Sequence, residues 1–267
     1  MYKILISFFL IFLFSCNYKK DKTELNNETY QKIKHKVKYT DIKQKNGLIK
    51  HIGFYPDTKD TFSIFFTDVN QEMKSYSKLF YKNGKVMSYV QYKGNMKLCQ
   101  NYYKNGNLEK IFTLDKLNIR HGTEKQFYKT GELKAILDYI VYKDSVEYLN
   151  NARYFYKNGE LNRDSTFFIK MISDRDTILI NDSLEIRFQV IKPENTRAYA
   201  YIGSVYQYFE KTDYNNIKLL QNKVYYFKPT QIGYDSVEIV FDINITPQQK
   251  VPHIYKTFLK KRIYVTP

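Results

Sequence analysis

Histidine is the first residue type to test for chemistry, because imidazole serves both as a metal ligand and as a general base. The chain has four, His35, His51, His121 and His253. They are widely separated, and none has a second His or a Cys at the short spacing of a zinc site. His121 directly precedes a glycine of a repeated segment described below, which gives it a structural place. Asp174-Arg175-Asp176 offers carboxylate oxygens, but no Asp-x-Asp-x-Asp-Gly loop follows, so it reads as a solvated turn. There is no Gly-x-Ser-x-Gly elbow and no phosphate-cradling glycine loop. Nothing nominates a particular pair of carboxylates for acid–base work. The expectation is a non-enzymatic protein with no catalytic residue, no metal and no cofactor.

Two cysteines remain. Cys99 lies in an apolar–polar strand pattern and reads as a buried small hydrophobe. Cys16 is different. Lys3 is followed by an apolar run from Ile4 to Phe14, broken only by Ser7, and the run closes on Leu13-Phe14-Ser15-Cys16. A positive end, an apolar middle and a small residue before the cut form the layout of a secretory signal. The run is shorter than the roughly 20 residues of a membrane span. The cysteine at the cleavage position makes residues 1–16 resemble a bacterial lipoprotein signal. That resemblance implies lipidation of the Cys16 thiol and a chain tethered to the membrane. Cys99 would then have no disulfide partner in its own chain. The expected location is the bacterial cell envelope, in the outer membrane facing the periplasm. The residues after the cysteine, Asn17-Tyr18-Lys19-Lys20-Asp21, lack the acidic run linked to surface export in some bacteria.

The net charge of +16 invites a nucleic-acid reading. Its distribution argues against one, because the excess sits largely in the N-terminal part, at Lys19, Lys20, Lys22, Lys32, Lys34, Lys36 and Lys38. Residues 17–40 read as a flexible basic tether. Beside a lipid anchor, such lysines would be held to an anionic bilayer by about 1 kcal/mol each. A Lys/Asn-rich coding bias that yields a soluble tether explains them equally simply.

The elements that would position any site come from a repeat. Phe80-Tyr81-Lys82-Asn83-Gly84-Lys85-Val86 recurs as Tyr102-Tyr103-Lys104-Asn105-Gly106-Asn107-Leu108, as Phe127-Tyr128-Lys129-Thr130-Gly131-Glu132-Leu133 and as Phe155-Tyr156-Lys157-Asn158-Gly159-Glu160-Leu161. Lys45-Asn46-Gly47-Leu48 looks like a degenerate first copy. Tyr (27) and Phe (19) are abundant, as suits half-buried strands. Each copy reads as a β-hairpin whose two-residue Asn-Gly loop takes positive φ at both central residues. Tyr81 would then face Val86, Tyr128 would face Leu133, and Lys129 and Lys157 would meet Glu132 and Glu160. Hairpins of this kind stack to share one apolar face. Strand alternation places Phe80, Tyr102, Phe127 and Phe155 on one side and Tyr81, Tyr103, Tyr128 and Tyr156 on the other. Either both ladders pack, or the second is presented with its lysines to a protein or glycan partner.

The phased copies, with Arg120-His121-Gly122 leading into the third, resemble MORN repeats over about residues 43–165. They are most similar to the bacterial variant found in a broad antitoxin-like group. The family's linker glycine, kept as Gly94 and Gly122, is missing between the third and fourth copies, and the glycine interval widens from 22 to 28 residues. A twisted, irregular repeat sheet over residues 41–168 is expected.

Residues 169–267 lose the repeat. Leu184 to Val190 alternates with period two. Further strands are expected at Thr177–Ile180, Ala198–Ile202, Val205–Phe209, Val224–Phe227, Ser236–Asp242 and Ile254–Val265. Strands at this spacing suggest a small sandwich. Phe227-x-Pro229-x-x-x-Gly233-Tyr234-Asp235 resembles the turn before the penultimate strand of Ig-like accessory domains. The other reading is that these strands extend the repeat sheet. Asp-Ser/Thr-aliphatic tripeptides at Asp144, Asp176, Asp182 and Asp235 resemble O-glycosylation sites of some bacterial lineages, although turn chemistry explains them as well.

The fold class is therefore all-β, a hairpin repeat sheet followed by a small sandwich. Three functions are weighed: an envelope scaffold that binds a protein on the repeat sheet, an immunity protein that neutralises a toxin as the family resemblance implies, and an enzyme or carbohydrate-processing accessory. The first is preferred, with Tyr81, Tyr103, Tyr128 and Tyr156 as candidate partner-binding residues. Gly84, Gly106, Gly131 and Gly159 are assigned to structural turns.

Overall fold

The computed structural model describes residues 36–142, 146–194, 196–202, 218–220, 224–245 and 254–267. The signal with Cys16, most of the tether, Asp144 and the expected strand at 205–209 lie outside them. The described chain is all-β and forms two compact units that divide between Leu133 and Lys134.

In the first unit, β1 (Lys38–Lys43), β2 (Ile49–Phe54), β3 (Thr61–Thr67), β4 (Met73–Phe80), β5 (Val86–Lys93), β6 (Met96–Tyr102), β7 (Leu108–Leu114) and β8 (Gly122–Phe127) form an antiparallel meander. Each strand pairs with the next. Buried Tyr55, Phe62, Leu79, Met87, Val90, Cys99, Phe112 and Leu114 make its core. Cys99 is thus a packed small side chain, as its strand pattern indicates.

The turns correct the expected register. Phe80, not Tyr81, pairs with Val86. Tyr81 N–H donates to the Lys85 carbonyl at 2.8 Å, and Gly84 N–H donates back to the Tyr81 carbonyl at 2.9 Å. The loop is therefore three residues long, a type I turn followed by a glycine in the left-handed region, with Gly84 at φ 78. Asn83 stays right-handed and folds its side chain back on the turn, where Oδ1 accepts the Lys85 N–H at 3.1 Å. Asn105 and Asn158 do the same for Asn107 and Glu160. The expected facing pairs Tyr81–Val86, Tyr128–Leu133, Lys129–Glu132 and Lys157–Glu160 are each displaced by this extra loop residue. The Tyr128 and Tyr156 turns close on Glu132 and Glu160 instead.

A second irregularity recurs. Just past the turn, one residue is left over in the pairing, Phe62 in β3, Met87 in β5 and Glu109 in β7. Such a bulge bends its strand and re-aims side chains. It sends Phe62 and Met87 into the core.

The presumed first copy is also displaced. The loop at Asn46-Gly47 joins β1 to β2, whereas the loops at Gly84 and Gly106 join β4 to β5 and β6 to β7. In a meander those lie on opposite edges of the sheet. The true first member on the Gly84 edge is Phe54-Tyr55, which has Pro56-Asp57 where the later copies have Lys-Asn or Lys-Thr.

In the second unit, β9 (Leu133–Tyr142) pairs antiparallel with β10 (Val146–Tyr154). The fourth copy makes its turn, but its arms meet only at a Phe155–Leu161 bridge. Then follow β11 (Phe168–Ile172), β12 (Thr177–Leu179), β13 (Leu184–Ile191), β14 (Thr196–Ile202), β15 (Lys218–Leu220), β16 (Val224–Phe227), β17 (Gly233–Ile245) and β18 (Ile254–Thr266). They form a three-stranded sheet, β11-β13-β16, and a five-stranded sheet, β12-β18-β17-β14-β15. The period-two segment is β13, and it buries Leu184, Ile186 and Phe188. These join Ile169, Ile178, Val237, Ile239, Ile263 and Val265 in one core. Ala135, Leu137 and Ala152 of the β9–β10 hairpin pack into that same core, so the hairpin belongs to the second compact unit.

Candidate binding face of the repeat unit

Strand pairing in the first unit aligns one residue per strand into two rows, one on each face of the meander. The inner row is Asp41, His51, Phe65, Ser77, Val90, Cys99 and Phe112. Apart from Asp41 at the edge, all of these are buried. His51 is held by Asp41 Oδ1 at its Nδ1, 2.7 Å, and by Thr67 Oγ1 at its Nε2, 2.9 Å, and it stacks on Phe65 with centroids 4.5 Å apart. Carboxylate, imidazole and hydroxyl in sequence are the parts of a nucleophilic triad. Here the hydroxyl is buried, with Thr67 6 % exposed, and the cluster joins β1, β2 and β3. Sequence reading missed it because its members come from three different strands. At the other end, buried Glu124 accepts from Arg120 at 2.8 Å and from Gln126 at 2.7 Å.

The expected tyrosine ladder lies along the turn edge. Tyr55, Tyr81 and Tyr103 each donate a phenol hydrogen to a carbonyl in the next copy, those of Phe80, Tyr102 and Phe127, at 2.7, 2.7 and 2.8 Å. The turn asparagines repeat the device: Asn83 donates to the Lys104 carbonyl at 3.0 Å and Asn105 to the Lys129 carbonyl at 2.9 Å. Burial raises the Tyr103 phenol pKa, with nearby Glu109 acting in the same direction. Burial pushes Tyr55 up to about 12, helped by Asp57 and Asp60. Tyr81, Tyr103 and Tyr128 are half-buried, and Tyr156, in the second unit, is exposed. Within the first unit the structure does not gather Tyr81, Tyr103 and Tyr128 into one presented face.

It does gather other residues. The outer row is Ile52, Ile64, Lys78, Tyr89, Gln100, Ile111 and Lys125. Phe66, Tyr76 and Tyr89 continue from ring to ring, at 5.0 Å between Phe66 and Tyr76 and 5.9 Å between Tyr76 and Tyr89. The Lys78 ammonium sits 5.2 Å over Tyr76 and 5.6 Å over Tyr89, and among the described residues no carboxylate pairs with it. Tyr102 extends the stripe through its hydrogen bond to Gln100 Oε1 at 2.8 Å. Its phenol pKa is raised by burial and by Tyr89. The outer row carries two lysines and no acidic residue. In the sequence the residues of this row are scattered over seven strands, and only their period-two placement signalled them. Among the described residues no group of three or more His, Cys, Asp or Glu is placed to hold a metal.

Two segments, residues 76–93 and 120–140, match the MORN repeat variant family. They span the Tyr81 and Tyr128 turns. No curated protein matches the chain. Among solved structures, similarity is found to a mutant of S. aureus TarM in complex with fondaparinux, alpha-GlcNAc-glycerol and UDP, at 15 % identity over 58 % of this chain and 24 % of that one, TM-score 0.24. The extracellular domain of a putative hybrid two component system from B. thetaiotaomicron is similar at 8 % identity over 86 % of this chain and 44 % of that one, TM-score 0.23. That of a putative one component system from the same organism is similar at 11 % identity over 91 % and 31 %, TM-score 0.19. The chain spans less than half the length of each of these, and likeness at this level carries no argument about function.

Proposed function

We propose that this protein is a non-enzymatic lipoprotein of the bacterial cell envelope, anchored through Cys16, whose repeat sheet is a scaffold for binding another protein. The observation that carries the reading is the aromatic stripe on the outer face, half-buried Phe66, Tyr76 and Tyr89 with Lys78 laid over the last two rings. Aromatic residues enriched in a patch with few carboxylates are the composition of an interface core. Rings held by cross-strand contacts lose little side-chain freedom on binding, which leaves more of the contact energy as affinity. The antiparallel backbone fixes their spacing, so the partner meets a rigid surface. The repeats serve as the frame, and the edge tyrosines tie one copy to the next.

The test is photo-crosslinking in the envelope from a benzophenone residue at position 91, which pairs with Tyr76 on the outer face. Position 116, in the β7–β8 loop, is the control. A discrete adduct from position 91 alone, abolished by Lys78→Glu with Tyr89→Ser, supports the reading. Equal adducts from both positions, or an adduct insensitive to the double substitution, overturns it. The identity of the adduct separates a scaffold from a toxin-neutralising role.

A further inference from the structure

The second unit contains a groove of about 390 Å3 between β11 and β18, lined by Asn151, Phe168, Ile169, Lys170, Met171, Leu259, Lys260 and Lys261. Its geometry follows from two adjacent asparagines. The pairing of β10 with β9 skips at Asn150. There both carboxamides leave the hairpin and behave as short pieces of strand. Asn150 Nδ2 donates to the Phe258 carbonyl at 2.9 Å, and its Oδ1 accepts the Phe258 N–H at 2.6 Å. Asn151 treats Ile169 in the same way, at 3.2 and 3.0 Å.

Each asparagine closes one step of a strand edge and leaves the next step open. Just before β11, Phe167 exchanges backbone bonds with Ala152, and on β11 Ile169 is taken by Asn151, so both direct their N–H and C=O away from β13. In an antiparallel pair this direction alternates residue by residue, which puts the Met171 N–H and C=O on the same outer edge. On β18, Phe258 is taken by Asn150, and Tyr264 N–H donates to the Asp176 carbonyl at 2.9 Å. Lys260 lies between them on the same alternation. Among the described residues, nothing pairs with the outward backbone groups of Met171 or Lys260. The groove thus offers unpaired strand-edge donors and acceptors beside Met171 and Leu259, which pack against the apolar core.

Charge fixes what fits. The lining carries three lysines and no carboxylate. Lys260 reaches outside it to Glu238 at 2.7 Å, and Lys261 to Asp176. Lys170 is exposed and has no acidic partner among the described residues. A free anion would answer Lys170 but not the strand edges. An apolar strand would answer the edges but leave Lys170 unmatched. We propose that the groove is a strand-addition site for an extended peptide segment bearing acidic side chains, held by backbone bonds to Met171 and Lys260 and oriented by Lys170. Backbone pairing at an exposed edge supplies affinity, and the side chains flanking it supply selectivity.

The test uses the full chain and two fluorescein-labelled peptides, Glu-Thr-Glu-Val-Glu-Thr and Lys-Thr-Lys-Val-Lys-Thr, followed by anisotropy and amide hydrogen exchange. The acidic peptide is expected to bind and the basic one not. Exchange at the Met171 and Lys260 amides should slow by about tenfold or more, and Lys170→Glu should weaken binding by about tenfold with an unchanged melting temperature. Lys116→Glu, in the exposed β7–β8 loop of the repeat unit, should leave binding intact. Four results each overturn the proposal: no binding, binding without protection of those amides, equal binding of both peptides, or equal weakening by Lys116→Glu. The last would show general attraction to a basic protein.

Discussion

Tyr81 and Tyr103 owe their place to the phenol as much as to the ring. Each ring packs beside the turn, and each hydroxyl ties its own copy to the next through a backbone carbonyl. Removing the hydroxyl leaves a partly buried carbonyl short of one donor, a loss of about 1 kcal/mol. Tyr103→Phe should therefore lower the unfolding free energy by that amount without weakening contacts made by the outer face, and equilibrium urea unfolding by fluorescence checks it. The more deeply placed phenols respond to pH. Burial pushes Tyr39 up to about 12, and Tyr55 is raised as far. An unfolded tyrosine ionises near 10, so between about 10 and 12 the unfolded chain gives up protons that the folded chain keeps. The stabilisation is complete below about 10 and is lost as pH rises through about 12. Tyr55→Phe should flatten this alkaline decline, as followed by circular dichroism. Gly53 shows the opposite economy, absence of a side chain: a Cβ there would come within 2.5 Å of Ser63 Oγ and 2.8 Å of the Tyr39 ring. Its φ is not positive, so close approach and not backbone freedom explains this glycine.

Strands in this protein are joined by more than ladder bonds. His51 fastens the edge strand β1 to β2 and β3, and Asn150 with Asn151 fastens β10 to β18 and β11. A carboxamide that both donates to and accepts from one residue satisfies two buried backbone groups at once. Replacing it by alanine leaves them unpaired at a cost of about 1–3 kcal/mol. Asn150→Ala should destabilise the second unit by an amount in that range and speed exchange of the Phe258 amide; Asn151→Ala should do the same at Ile169. Native-state hydrogen exchange distinguishes the two. These elements also show what strand reading from sequence can reach. The alternation of Leu184 to Val190 located β13 correctly, because period two on a half-buried strand is a local property. The hairpin loops were located correctly but given one residue too few. Asn-Gly is compatible with a two-residue loop or with a three-residue loop whose asparagine folds back on its own backbone, and the choice depends on the bulge that follows.

For the molecule as a whole, the proposed anchor makes a direct prediction. Cys16→Ser should move the protein from the membrane fraction to the soluble envelope fraction, as read by fractionation and immunoblot, while leaving the fold unchanged. By itself the sequence determined the all-β class, the phased turns and the burial of Cys99, since each follows from residue type and spacing along a few neighbouring positions. Only the tertiary structure decided which aromatic residues are presented. Phe66, Tyr76, Lys78 and Tyr89 become neighbours through cross-strand register, and register is displaced by bulges at Phe62, Met87 and Glu109 that carry no sequence signature of their own. It likewise decided that Phe54-Tyr55, lacking Asn-Gly, opens the tyrosine ladder, and that Asn46-Gly47 stands on the opposite edge. The cause is common to both: a side chain's partner across a sheet is set by the summed lengths of every loop and bulge before it, a quantity no local motif contains.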